Sequence, residues 1–280
     1  MEDRCLGHRY LWGTLGRAER DASYNNSAAV ADSPSLNAER EARSAVFRAA
    51  HDEKLDLAYG PRPNNRIDLY PAADPAAPCL VFLHGGYWQR NSREQFACLI
   101  EGPHARGWSA ALPSYTLAPD ASLTEIAEEV TTALDWLATH GPAHGIGGKL
   151  VLSGWSAGGH LTALAMSHPA VAAGLAISGV FELGPIRDTY LNDKLMLTDG
   201  EIAALSPLRL PVVQKPLAIA YGTAELPPLV ADSRDLHARR AAAHAPGALI
   251  PVAGADHFTI VLELQKPDGV LTRQLPALLG

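Results

Sequence analysis

The stretch GKLVLSGWSAGGHL, residues 148–161, decides how the rest of the chain is read. Its first half, GKLVLSG, is a short apolar run closed by glycine, as expected of a strand buried on both faces. Its second half opens SAGGHLTALAMSH (156–168), whose apolar residues recur at helical spacing. Between them lies GWSAG, Gly154 to Gly158. A strand that turns this tightly into a helix puts its crest residue, Ser156, in a strained backbone conformation. Gly154 and Gly158 let strand and helix approach without side-chain clashes. The hydroxyl then stands exposed beside the positive end of the helix. G-x-S-x-G in this setting is a nucleophile elbow. The five letters alone are a loose signal, since a Ser N-cap after a Gly-containing turn gives the same pattern. The strand before and the helix after favour the nucleophile.

Outward from the elbow, strands alternate with helices. CLVFLH (79–84), WSAALP (108–113), VAAGLAISG (171–179), KPLAIAYG (215–222) and ALIPVAG (248–254) read as strands. Helices are expected over Ser92–Arg106, after Ser122, over Asp232–His244 and over Leu271–Leu279. The alternation predicts an α/β fold with a mostly parallel central sheet and helices on both faces. LDLAYG and RIDLY, separated by PRPNN, predict an antiparallel entry to that sheet. Residues 181–211, with Pro185, Pro207 and Pro211, exceed an ordinary strand-to-helix connection and predict a small cap segment. Residues 55–280 form the expected main domain. Residues 1–54 form an N-terminal arm, with a helix over Asn37–Ala50 capped by Asn37 and a loop around Tyr24–Ser27. The arm carries no catalytic signal. It is expected to pack on the main domain or on a second subunit, which leaves a homodimer open.

Two further constellations fit the elbow. HGGYW (84–88) ends the 79–84 strand, about 70 residues before Ser156, where an α/β-hydrolase fold supplies its second oxyanion donor. Paired glycines let backbone N–H groups turn toward a developing oxyanion. The hole is assigned to the N–H of Gly86, with Gly85 or Tyr87 adjoining, and that of Ala157. A plain turn would explain Gly85-Gly86 alone, and His84 is expected to brace the loop. For the base, eleven histidines compete. The fold orders its triad as Ser, acid, His, with the His on a loop after the last strand. His257, in ADHF after ALIPVAG, meets that condition. His237 and His244 fall in a helix, His160 points away from the mouth, and the others read as surface or loop groups. The first carboxylate after LAIAYG is Glu225, the expected partner of His257; Asp256 adjoins the His too closely in sequence to orient its ring.

Composition closes off several classes. Hydrophobic residues make up 47% of 280, enough for a sizeable core. Lys and Arg total 23 against 30 Asp and Glu, a net charge of −7 with no basic tract, so no nucleic-acid partner is expected. Cys5, Cys79 and Cys98 make no pairing framework, and the latter two read as buried thiols. Neither a secretory signal nor a run of apolar residues long enough to span a bilayer is visible, which predicts a soluble cytoplasmic protein without membrane attachment. H-E-x-x-H, paired-Cys and P-loop patterns are absent, so no metal or other cofactor is expected.

Taken together, these residues resemble the kynurenine formamidase (arylformamidase) family over roughly residues 55–270. HGGYWQ matches the family's HGG-x-W motif. GWSAGGHL resembles its GHSAGGHL elbow, with Trp155 where the family has His. ISGVFEL followed by Ser206-Pro207 resembles its post-nucleophile segment, AELPPLVADS its acid loop and ADHFTIV its His loop. The resemblance places the family acid on Glu225 and the family His on His257. It implies a serine hydrolase that cleaves N-formyl or N-acyl aryl amides through an acyl-enzyme. Trp155 implies a differently shaped pocket. Tyr87, Trp88, Trp155 and Phe258 are the candidate substrate-binding residues, suited to an aromatic small molecule; Tyr115 and Tyr190 are weaker candidates. A carboxylesterase for short or aryl esters is the alternative within the fold. A non-catalytic binding protein is the alternative of another class, and the intact Ser156, His257 and HGG set argues against it.

Overall fold

Side chains of a β-strand alternate between its two faces, and the central strands divide their apolar residues accordingly. In a computed structural model, which describes residues 12–280, eight strands form one sheet. They are β1 (Leu57–Ala58), β2 (Arg66–Tyr70), β3 (Cys79–Leu83), β4 (Ser109–Pro113), β5 (Leu150–Trp155), β6 (Val171–Ile177), β7 (Leu217–Gly222) and β8 (Leu249–Val252). Cys79, Val81 and Leu83 of β3 face one core, with Ile126 and Val130 of the Leu123–His140 helix and Leu161 of the Ala157–Leu164 helix. Leu80 and Phe82 face the other, with Phe96 and Leu99 of the Arg93–Ile100 stretch and with Leu271 and Leu275. The same parity places Leu152 in the first core and Val151 and Trp155 in the second.

The strand order is β1-β2-β4-β3-β5-β6-β7-β8. β1 pairs with β2 and β2 with β4 antiparallel; the remaining neighbours are parallel. This is the α/β-hydrolase architecture. Its register matters for the site: Leu83 lies opposite Gly154, and Trp155 opposite Ile177. The loops leaving β3, β5 and β6 therefore emerge side by side at the carboxyl edge, where open α/β sheets bind ligands.

Local chemistry shifts several expected boundaries. The helix expected from Asn37 begins at Ser33, so Asn37 is an interior residue and Asp32 occupies the N-cap. The Tyr24–Ser27 loop gives way to a short helix, Asn26–Ala29, capped by Asn25, which accepts from the Ala28 N–H at 3.1 Å. Ser92–Arg106 is a 3₁₀ stretch, Arg93–Ile100, followed by an α-helical turn, Glu101–Ala105. The helix expected from Asp232 starts at Pro227, because proline lacks the N–H that a first turn leaves unused. The C-terminal helix divides into Val270–Gln274 and Pro276–Leu278.

The arm lies over the Arg93–Ile100 stretch. Arg40 donates to the Gln95 carbonyl at 3.1 Å, and its guanidinium stacks 4.2 Å from the Phe96 ring centre. Ser44 Oγ accepts from the Cys98 N–H at 3.1 Å, and the Cys98 thiol beneath the helix faces the Arg40 carbonyl. Farther along, Asp21 accepts from the Tyr190 N–H at 2.7 Å and the Trp12 indole N–H donates to Asp188 at 3.0 Å. Cys79 and Cys98 are buried free thiols; Cys5 lies outside the described residues. Among the described residues no helix is long and apolar enough to cross a membrane.

Candidate active site

Ser156 sits at φ 59° and ψ −117°, a conformation that L-residues avoid, immediately before the Ala157–Leu164 helix. The crossing tolerates nothing larger than glycine. A Cβ on Gly158 would collide with the Leu83 carbonyl, and one on Gly154 with the Gly158 carbonyl. The Ser156 N–H donates to the Ile177 carbonyl at 2.8 Å, which ties the crest to β6. Ala157 opens the helix, so its N–H belongs to the first turn, where backbone donors lack intrahelical partners.

The loop from β3 runs against this crest. A Cβ on Gly85 would stand 2.7 Å from the Trp155 carbonyl and 3.1 Å from Ser156 Cβ. Gly86, Tyr87 and Trp88 follow at φ 126°, 51° and 59°. Four of the loop's carbonyls are held: His84 O by Tyr115 Oη at 2.8 Å, Gly85 O by Asn91 Nδ2 at 3.0 Å, Gly86 O by the Gln89 N–H at 3.1 Å and Trp88 O by the Ala118 N–H at 2.8 Å. His84 is buried, stacked 4.3 Å from Tyr115, with Nδ1 3.0 Å from the Gly85 carbonyl. Burial pushes its pKa down to about 4, so the ring is neutral and the Nδ1–H tautomer donates to that carbonyl.

Glu225 and His257 meet at the exits of β7 and β8. Glu225 Oε1 accepts from Ser178 Oγ at 2.5 Å and from the Gly222 N–H at 2.7 Å. Oε2 is left for His257 Nδ1, 3.3 Å away. Ser178 reaches the carboxylate from φ 50°, one residue beyond β6. Asp256 is spent on its own turn, accepting from the N–H groups of Phe258 and Thr259. The Trp155 indole N–H donates to the His257 carbonyl at 2.8 Å, with the two rings 4.8 Å apart. Trp155 therefore braces the His loop as well as bordering the cavity. His160 is buried behind the elbow, donating from Nε2 to the Leu205 carbonyl at 2.7 Å, and burial lowers its pKa to about 4.

Ser156 and His257 open on one cavity of about 190 Å³. Of the residues singled out in the sequence, Gly86, Tyr87, Trp155 and Phe258 line it. Trp88 does not: it is fully buried, edge-on to His160 at 5.0 Å, because the reversed backbone after Gly86 sends its ring into the core. Tyr115 is likewise a core residue. The other wall comes from the arm, through Asn26, Ser27 and Asn37, with Arg90 and Asn91 beside it. This makes the cavity more polar than four aromatic rings would. The Tyr87 hydroxyl joins the walls, donating to the Tyr24 carbonyl at 2.7 Å and accepting from Asn26 Nδ2 at 2.9 Å. A second cleft of about 360 Å³ adjoins at Ser27, Tyr87 and Arg90 and continues to Tyr190 and Lys194 of the 181–211 segment. No signal in the sequence marks the arm residues; they reach the site only through contacts distant along the chain. Among the described residues no three His, Cys, Asp or Glu side chains gather as metal ligands.

Comparison with known proteins agrees with the fold. Residues 67–172 match the BD-FAE family. The chain is 24% identical to a kynurenine formamidase of Danio rerio over 96% of its own length and 98% of the relative's. It is 26% identical to a kynurenine formamidase of Salmo salar over 81% and 82%. An esterase of Gibberella moniliformis is 30% identical over 49% of this chain and 44% of its own. A crystal structure from a Silicibacter species superposes with a TM-score of 0.81 at 27% identity, covering 91% of this chain and 98% of that one. The chain has the α/β-hydrolase fold and is arylformamidase-like in sequence.

Proposed function

We propose that the protein is a serine hydrolase that cleaves short N-acyl aryl amides, N-formyl above all, through an acyl-enzyme. The observation that carries the reading is the convergence of a strained Ser156, a Glu225-held His257 and the Gly86 loop on one small cavity. His257 takes the Ser156 proton as Oγ attacks the acyl carbonyl. The N–H groups of Gly86 and Ala157, with Tyr87 adjoining, receive the oxyanion. His257 then passes the proton to the leaving amine, and water activated by the same ring releases the acid. Glu225 holds the ring and balances its charge when protonated.

Volume supports a short acyl group. About 190 Å³ is below the usual range for drug-sized ligands. The adjoining cleft, bordered by Tyr87 and Tyr190, offers room for an aryl leaving group. In this reading the arm and residues 181–211 share the role of a cap, the arm over the cavity and the 181–211 segment over the cleft. Formamidase relatives favour the amide; the fungal esterase relative keeps a carboxylesterase as the second reading.

The test compares kcat/KM for an aryl amide and an aryl ester with the same acyl and aryl groups, with Ser156→Ala as control. Amide turnover within an order of magnitude of ester turnover, abolished in the variant, is expected. Turnover of the ester alone would assign a carboxylesterase. Equal inertness of both proteins toward both substrates would end the catalytic reading.

A further inference from the structure

Asn91 follows the glycine loop and holds φ 74°, a left-handed conformation that few side chains adopt and Asn tolerates better than most. Its amide turns inward. Nδ2 donates to the Gly85 carbonyl at 3.0 Å, the oxygen that His84 Nδ1 also faces at 3.0 Å. A carbonyl oxygen only accepts, so the NH₂ end of the amide must point at it. The same nitrogen occupies the space beside the next residue: a Cβ on Gly86 would lie 2.8 Å from it. Asn91 also borders the cavity that holds Ser156.

A trans peptide is planar, with its C=O and N–H pointing in opposite directions. The Gly85 carbonyl and the Gly86 N–H belong to one such unit. Flanked by two glycines, that unit has little intrinsic resistance to rotation. We propose that Asn91 is a positioning residue of the oxyanion hole: together with the His84 ring it grips the Gly85 carbonyl and so aims the Gly86 N–H at the oxyanion. The proposal rests on the acyl-enzyme reading above, and holds equally for amide and ester substrates. It also accounts for the left-handed backbone at Asn91, since strain of this kind persists where surrounding contacts enforce it.

Asn91→Gly tests it, because glycine keeps φ 74° without strain and removes the donor. With the aryl ester as substrate, kcat should fall about tenfold, part of the 10²–10³ lost when a whole oxyanion donor is removed, and KM should change by less than about threefold. Asn91→Asp, which sets a carboxylate against the Gly85 carbonyl, should lose more. A trifluoromethyl ketone gives the readout that a loosened loop alone would not move. Ser156 Oγ bonds to its carbonyl carbon, the carbonyl electron pair becomes the oxyanion, and the serine proton goes to His257. Its affinity should fall across the two variants by the same factor as kcat/KM. Wild-type kcat in both variants, or a lowered kcat with unchanged ketone affinity, would overturn the proposal. A Ser156→Ala protein as active as wild type would instead overturn the reading beneath it.

Discussion

The cavity at Ser156 has two walls made in different ways. One consists of loop residues at the ends of β3, β5, β7 and β8, whose positions follow from sheet register: Leu83 opposite Gly154, Gly222 opposite Val252. The other consists of arm residues held by side-chain contacts distant along the chain, among them the Tyr87 hydroxyl between Tyr24 and Asn26. The first wall is covalently continuous with the sheet and cannot move without disturbing it. The second can lose a hydrogen bond and leave the sheet intact. In the proposed function, chemistry belongs to the sheet-borne wall and enclosure to the arm.

Replacing Glu225 by Gln should give the largest effect. The amide would still accept from Ser178 and Gly222, but would offer His257 Nδ1 an NH₂ and favour the wrong tautomer. A fall in kcat of about 10³–10⁴ is expected with the fold intact, read by steady-state kinetics beside a thermal melt. A loss under tenfold would remove Glu225 from the sheet-borne machinery.

Acid should reach the same wall next. His84 and His160 both have native values near 4, below the ordinary 6.5, because burial disfavours their charged forms. As pH falls from about 6.5 toward 4, the unfolded chain takes up protons at these sites and the native chain does not. Stability is therefore full above about 6.5 and declines toward 4, by at most about 1.4 kcal/mol per pH unit for each ring. Melting temperature followed against pH should fall across this window, and His160→Gln should flatten the slope. An unchanged slope would remove His160 from this account.

Tyr87→Phe addresses the arm. It removes the hydroxyl that bonds the Tyr24 carbonyl and the Asn26 amide, which should cost about 1–3 kcal/mol in denaturant unfolding. Its effect on kcat should stay within tenfold. A kcat loss matching that of Glu225→Gln would break the comparison and make the arm part of the catalytic apparatus.

The two walls also differ in how far sequence discloses them. The Ser156 crest, the glycine loop and the His257 loop each follow an apolar strand, so strand periodicity locates them and the chemistry of small residues explains them. The orientation of Trp155 was available too: it shares parity with Val151, so it faces the second core and the His loop. Trp88 was not, because adjacent residues at φ 51° and 59° reverse the chain and parity no longer tells which ring turns inward. Asn26, Ser27 and Asn37 carry no periodic or compositional mark. Asn26 meets Tyr87 across 61 residues and Asp21 meets Tyr190 across 169, distances over which only the folded chain provides information.

Cys98 lies under the arm helix, with the Arg40 carbonyl and Ser44 hydroxyl closing over it, whereas Cys79 lies within β3. A thiol reagent reaches the first when the arm lifts and the second only when the sheet comes apart. Alkylation of the native protein therefore times two separate openings with the chain's own side chains: a partial one that uncovers Cys98, and the global one that uncovers Cys79.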